Sequence, residues 1–282
     1  MDSILIRCKN CGNEFCGKYC NVCGEKVYTE KERSAFHFLE EGFHFLTHFE
    51  GTFFTTIRTL FFKPGQISVD YAFGVRKKYF RLLSLFLLLV VVYLLFPAFE
   101  GLNMKLKFHE QHPMYGGYAT EKVKAIMLQK NWSAAEAANV FQNISEKTSK
   151  ILLLLIIPLT ALACWAVTFK KRRYVFDQMV FATEVNCFYL LWGFLLLPLI
   201  VLGFGFIFKT IFDRYFPFND SISAIVVSIP LVVFVGIAGR RFYKLKNWQL
   251  VLFALYFFVA HTFVIQFVYK FVLFVAVIKQ IH

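Results

Sequence analysis

Five of the seven cysteines in this chain lie within its first 23 residues. Four of them form two C-x2-C pairs, Cys8-Lys9-Asn10-Cys11 and Cys20-Asn21-Val22-Cys23, separated by eight residues and each followed by glycine. Two thiolates spaced this closely reach one ion from a single turn. Four complete the tetrahedral shell of Zn2+ and leave no position open for a substrate. The expected site is therefore a structural four-cysteine zinc ribbon over residues 1–28, with Cys16 as a spare thiol. So short a segment buries too little apolar surface to fold by itself, so the metal would supply its stability. No apolar leader precedes the cysteines. That places them in a reducing cytosol, where clustered thiols hold metal rather than form disulfides.

A second set is His37, Glu41, His44 and His48, at steps of four, three and four. This spacing puts all four on one helical face. Imidazole and carboxylate suit Zn2+ or Fe2+, while the plainer reading is a polar stripe on an amphipathic helix. No H-E-x-x-H pair is present, so metalloprotease chemistry has no support.

A third set lies inside long apolar segments: Glu184, Asn186, His261 and Gln266. Polar groups at membrane depth are costly and are candidate functional sites by default. There is no chain of acids of the kind a proton pump needs, and no P-loop, nucleophile elbow or dinucleotide-binding glycine pattern.

The segments that position these residues follow from composition. Of 282 residues, 58% are hydrophobic, 19% aromatic and only 17% charged, and Phe alone accounts for 37. A soluble domain averages about 25% charged residues, so soluble-enzyme, disordered and fibrous classes fit poorly. The expected fold is an all-α integral membrane protein with about five transmembrane helices, at 82–99, 151–169, 186–208, 222–238 and 249–278. Each is near the ~20 residues that cross ~30 Å of hydrocarbon, apart from the longer last one. Lys270 would mark where that last helix reaches the far interface. Pro158, Pro198 and Pro230 predict kinks.

Around the spans, apolar residues from Phe36 to Leu60 recur with helical period among charges. An interfacial amphipathic helix follows, ended by Pro64-Gly65. It leads into a basic connector, so residues 29–81 form one membrane-surface segment. Residues 100–150 read as an extracytoplasmic helical hairpin, with a capping box at Ser133 and Glu136. Residues 174–184 read as a short amphipathic stretch before the third span.

The net charge is +13. It gathers at Arg76, Lys77, Lys78 and Arg81, at 170–173, and at Arg240, Arg241, Lys244 and Lys246. Charge flanking apolar spans sets orientation and meets anionic headgroups. The N-terminus is then cytoplasmic and the C-terminus extracytoplasmic. The head mixes Lys9, Lys18 and Lys26 with Glu14 and Glu25, so no nucleic-acid face is expected.

Beyond the CxNCG…YCxxCG ribbon, the chain reads Phe53-Phe54-Thr55-Thr56, Leu60-Phe61-Phe62-Lys63-Pro64-Gly65, and Tyr71…Gly74-Val75-Arg76-Lys77-Lys78-Tyr79. This order of motifs resembles a bacterial membrane family, domain of unknown function 3667, over residues 8–81. The segment 173–182 extends the likeness more weakly. Phe80-Arg81-Leu82 stand where the family often has a proline. The resemblance implies a bacterial inner membrane and supplies no activity. Within the motif, Tyr71, Arg76 and Tyr79 are candidate ligands of a lipid headgroup.

The function expected from these features is a membrane-embedded adaptor or regulator whose ribbon docks a cytosolic protein, with self-association open. The alternative is a transporter, channel or transport accessory using Glu184, Asn186 and His261. A lipid- or envelope-precursor-modifying enzyme ranks third.

Overall fold

A computed structural model describes residues 5–8, 11–17, 19–22, 51–95, 104–172, 174–214 and 220–281. It divides into two compact units, Met1–Thr52 and Phe53–His282.

In the first unit, strands β1 (Ile6–Arg7) and β2 (Glu14–Phe15) pair antiparallel, with Ile6 opposite Phe15 and Arg7 opposite Glu14. The turn between them closes on itself. The Cys8 amide donates to the Asn13 carbonyl at 2.8 Å, and the Gly12 amide donates to the Cys8 carbonyl at 3.0 Å. Buried Cys8, Phe15 and Cys20 form a miniature core against Ile6.

The second unit is helical. Helix α1 (51–62) ends two residues before Pro64, as the Pro64-Gly65 pair predicts. The expected start of that helix, from residue 34, lies outside the described residues. Next come the short α2 (Gln66–Ala72) and then α3 (Leu82–Leu95). The hairpin holds α4 (Leu106–Glu110), α5 (Gly116–Lys130) and α6 (Ala134–Leu152). Its capping box is present: the Ser133 hydroxyl accepts the Glu136 amide while the Glu136 carboxylate accepts the Ser133 amide. Helix α7 (Ile156–Thr168) follows a bend, then α8 (Val175–Leu190), α9 (Leu197–Phe212) and α10 (Asp220–Tyr243). The chain closes with α11 (Asn247–Phe263) and α12 (Lys270–Ile281).

The all-α membrane architecture stands, while the spans are drawn differently. Among the described residues, three continuous helices are long and apolar enough to cross a bilayer: Val175–Phe212, Ile222–Tyr243 and Asn247–Ile281. A fourth forms if the pair 134–149 and 153–168, bent by 50°, counts as one. Helix α3 covers only 14 described residues. Residues 174–184 are not a separate amphipathic stretch. They open the long helix α8–α9, whose 38 residues extend ~57 Å at 1.5 Å each. The two halves of that helix differ: twelve of the sixteen residues of α8 are buried, whereas α9 buries only Leu197 and Pro198. Helix α8 is the post on which α2, α3, α7 and α10 pack. Helix α9 turns Leu199, Leu202, Phe206 and Ile207 outward, as a lipid-facing surface does.

Two of the expected proline kinks take particular forms. Pro198 follows a π-helical segment, Leu191–Leu196. Proline has no N–H for the carbonyl four residues back, and a widened turn absorbs the missing bond. Pro158 follows the 3-10 turn Leu153–Leu155 at the bend. Helix α10 runs through Pro230. A second π segment, Val264–Tyr269, has no proline to announce it. Lys270 lies within the last long helix, which continues past it to Ile281. It is buried, its ammonium donates to Gln266 Oε1 at 2.5 Å, and α12 continues beyond it to pack on α6.

Candidate functional site

In the ribbon, the sulfurs of Cys8, Cys11 and Cys20 all lie within 4.8 Å of one another. Cys11 Sγ and Cys20 Sγ are 3.6 Å apart. That exceeds a disulfide, ~2.05 Å, and matches the ~3.8 Å between thiolates that share a tetrahedral zinc at ~2.3 Å. The side chain of Asn13 donates to Asn21 Oδ1 at 2.9 Å, tying the first cysteine turn to the second. These three thiols therefore fit one ion. Cys16 is exposed and stands outside the cluster. Cys23, and the set His37, Glu41, His44 and His48, lie outside the described residues.

In the helical unit, the expected intramembrane residues fall into two separate groups. The first is built on Glu184, fully buried on α8. Its Oε1 accepts the Gly65 amide at 2.8 Å and its Oε2 accepts the Ser68 amide at 2.8 Å, with the Ser68 hydroxyl donating to the same oxygen. One carboxyl group thus accepts the buried Gly65 and Ser68 amides at the start of α2, which have no acceptor within the helix. Arg241, on α10, donates to the Pro64 carbonyl from the other side. Gly65 takes φ +77°, and a Cβ there would stand 2.7 Å from the Ala238 Cα and carbonyl oxygen. The turn needs glycine both for its backbone angle and for its contact with α10. Sequence reading flagged Glu184 as an intramembrane candidate and missed its partners, because nothing local links residue 184 to residue 65.

The motif is braced at its far end by Asp70, which sequence reading passed over. The Tyr79 hydroxyl donates to Asp70 at 2.5 Å, Gln66 Nε2 at 2.7 Å and Lys78 Nζ at 3.1 Å. Burial works to raise the Asp70 carboxyl, and the hydrogen bonds from Tyr79, Gln66 and Lys78 outweigh it, holding it below its ordinary value. Hydrogen bonds to Tyr79 and Asp70 in turn raise the Lys78 ammonium. A signal was available: Asp70 is the only acid between Gln66 and Arg81, in a run with four basic residues. The Phe80 amide donates to Thr56 Oγ1 at 2.8 Å, fastening the motif's end back to α1.

Of the expected headgroup residues, Tyr71, Arg76 and Tyr79 do come together. The Tyr71 and Tyr79 rings are 6.4 Å apart, and all three residues line one groove of about 1050 Å³ between the connector, the α6–α7 bend and α8. The Arg76 guanidinium lies over the Phe176 ring at 4.8 Å. Tyr79 serves as wall, because its hydroxyl is already given to Asp70.

The second buried group is Asn186 with His261. Asn186 Oδ1 is 3.2 Å from His261 Nε2, while its Nδ2 donates to Thr160 Oγ1 at 3.2 Å and to the Ala182 carbonyl at 2.8 Å. Phe257 stacks on the His261 ring and Tyr189 meets it edge-on, with centroids 5.1 Å away in both cases. This pair ties α11, α8 and α7 together. Glu184 belongs to the α2 contact, so the two groups do not share hydrogen-bond partners.

Neither a curated protein nor a solved structure matches the chain. One family does match, over residues 50–94, the stretch that holds α1, the Pro64-Gly65 turn, α2, the basic connector and nearly all of α3. The segment latched by Glu184 and forming the basic wall of the groove is therefore a match to the family described as a protein of unknown function (DUF3667).

Proposed function

We propose that this membrane protein is a non-enzymatic adaptor, anchored by its helical unit and displaying a zinc-stabilised ribbon that a cytosolic protein recognises. The observation that carries this reading is the convergence of the Cys8, Cys11 and Cys20 sulfurs within 4.8 Å. A thiolate site that closes fully around Zn2+ shapes a surface and offers no open coordination position for chemistry. Cys23 would be the fourth ligand.

The basic segments support a cytoplasmic N-terminus in a bacterial inner membrane, with the C-terminus outside. Arg172 pairs with Asp177 at 3.2 Å and reaches the Phe242 carbonyl, Arg76 covers Phe176, and Arg241 holds Pro64. All three basic segments thus gather at one end of the helical unit, as the positive-inside rule asks of a cytoplasmic face. The transport reading is weaker, because Glu184, Asn186 and His261 are occupied by contacts between helices.

The test uses the full chain extracted from native membranes, wild type against Cys20→Ser at matched insertion. About one zinc per chain is expected in the wild type, with a defined partner that co-purifies in proportion to zinc and is lost from the variant. Identical partner sets with and without zinc would overturn the adaptor reading.

A further inference from the structure

We propose that the groove beside the Pro64–Tyr79 motif holds one molecule of an anionic glycerophospholipid. Its phosphate would lie on Arg76 and Arg81, and an acyl chain would lie along Leu155, Ile157, Pro158, Met179 and Val180.

Three observations carry this. The first is charge. Arg76, Lys77 and Arg81 line the groove, and among the described residues no acidic side chain does. The nearest acid of the motif, Asp70, faces Tyr79, Gln66 and Lys78 through its own hydrogen bonds. A ligand phosphate therefore meets positive charge that no acid among the described lining residues offsets.

The second is the wall chemistry. Apart from the basic and tyrosine rim and Thr183, the lining is apolar. A small soluble anion has no use for such walls. A peptide would leave its backbone amides without partners there, at a cost of about 1–3 kcal/mol for each one buried. An acyl chain asks for nothing else. The volume, about 1050 Å³, is just above the usual range for ligand pockets, ~300–1000 Å³.

The third is access. Leu83 and Ile151 line the same groove and are 54% and 74% exposed. They belong to α3 and α6, so the apolar lining continues onto exposed apolar surface of two helices. A lipid enters sideways from the bilayer while its headgroup stays at the basic edge, where cationic side chains attract anionic lipid.

The structure also explains why the groove keeps its shape. Glu184 fixes the start of α2, Asp70 fixes Tyr79, and Thr56 fixes Phe80, so the connector that carries Arg76 is held at three points. Phe176, under Arg76, keeps the guanidinium extended over the groove.

The test is native mass spectrometry of the detergent-purified full chain with dioleoyl-phosphatidylglycerol or dioleoyl-phosphatidylcholine added. Retention of one phosphatidylglycerol per chain, and weaker retention of phosphatidylcholine, is expected. Arg76→Ala with Arg81→Ala should weaken phosphatidylglycerol retention about 30-fold. Lys170→Ala with Lys171→Ala removes the same charge outside the groove and should change nothing. Leu155→Trp keeps every charge and fills the floor, and it should lower retention as well. It also serves as the independent variant if the double arginine change fails to fold. Inorganic phosphate in excess should not displace the lipid. Equal retention of the two lipids, wild-type retention by the arginine variant or by Leu155→Trp, or full displacement by phosphate would each overturn the proposal.

Discussion

Gly65 and Glu184 are 119 residues apart in the chain, and the Gly65 amide sits 2.8 Å from the Glu184 carboxylate. The same carboxylate takes the Ser68 amide and hydroxyl. A turn of the family-matched segment is thus held by an acid from a helix the match does not cover. Replacing Glu184 by Gln keeps its volume but sets an amide NH2 against N–H donors. Leaving such donors without an acceptor in a buried place costs about 1–3 kcal/mol. Glu184→Gln should lower the unfolding midpoint in detergent and speed amide exchange across 65–73. Wild-type exchange in that stretch would show that the latch does not hold α2.

Two glycines of the motif should respond unequally to substitution. Gly65 and Gly74 both have positive φ, +77° and +85°, but only Gly65 meets a neighbour, the Ala238 backbone at 2.7 Å. Gly74→Ala should cost only the left-handed strain, about 1–2 kcal/mol. Gly65→Ala adds a clash with backbone atoms that no side-chain rotation relieves, and should be worse by at least ~1 kcal/mol. Chemical unfolding of the two variants side by side decides this, and equal losses would contradict the close approach.

The Asn186–His261 contact should behave as a helix–helix tie. Asn186→Ala, His261→Ala and the double variant form a cycle whose coupling should be about 0.6–1.7 kcal/mol, the range for polar contacts between membrane helices. Zero coupling in thermal unfolding would show the two residues to be independent.

His109 should make the hairpin sensitive to acid. It is fully buried on α4, its Nδ1 is 2.8 Å from the Tyr115 hydroxyl, and Phe141 and Phe274 flank it. Burial, with the Lys270 and His112 charges, pushes its pKa down from 6.5 to about 4. Between those values the unfolded chain holds the proton and the folded chain does not. The stability this neutral histidine contributes is complete above pH 6.5 and is lost as the pH falls toward 4. The ceiling is on the order of 3 kcal/mol. His109→Gln should flatten the fall in unfolding temperature between about pH 7 and 5, and an unchanged slope would assign the acid sensitivity elsewhere.

Removing metal should act locally. A strong chelator added to the full chain is expected to raise amide exchange across residues 5–22 while the helices of Phe53–His282 keep their protection. Cys16→Ser should leave zinc content unchanged, because its thiol stands apart from the cluster.

Much of this protein is written in patterns of short range. The C-x2-C spacing brings Cys8 and Cys11 together in one turn, and Cys20 arrives beside them. Helix α1 stops just before Pro64, and Ser133 with Glu136 starts α6, because each depends on residues within a turn of one another. The apolar blocks establish a membrane protein by burial cost alone. Tyr71, Arg76 and Tyr79 were legible as a group because one connector carries all three. Tertiary structure decided everything that needed a partner from elsewhere. It joined 174–184 to the next span as one helix, since α8 is buried by its neighbours and its mixed polarity is satisfied there. It gave Glu184 to Gly65 and Ser68, and His261 to Asn186, when sequence had set these three polar residues together as one intramembrane site. It made a groove that Leu155 and Pro158, beside the bend at Leu153–Leu155, line together with Arg76. Local periodicity records which face of a helix is apolar, and only packing determines which distant donor an acid must satisfy once water is gone.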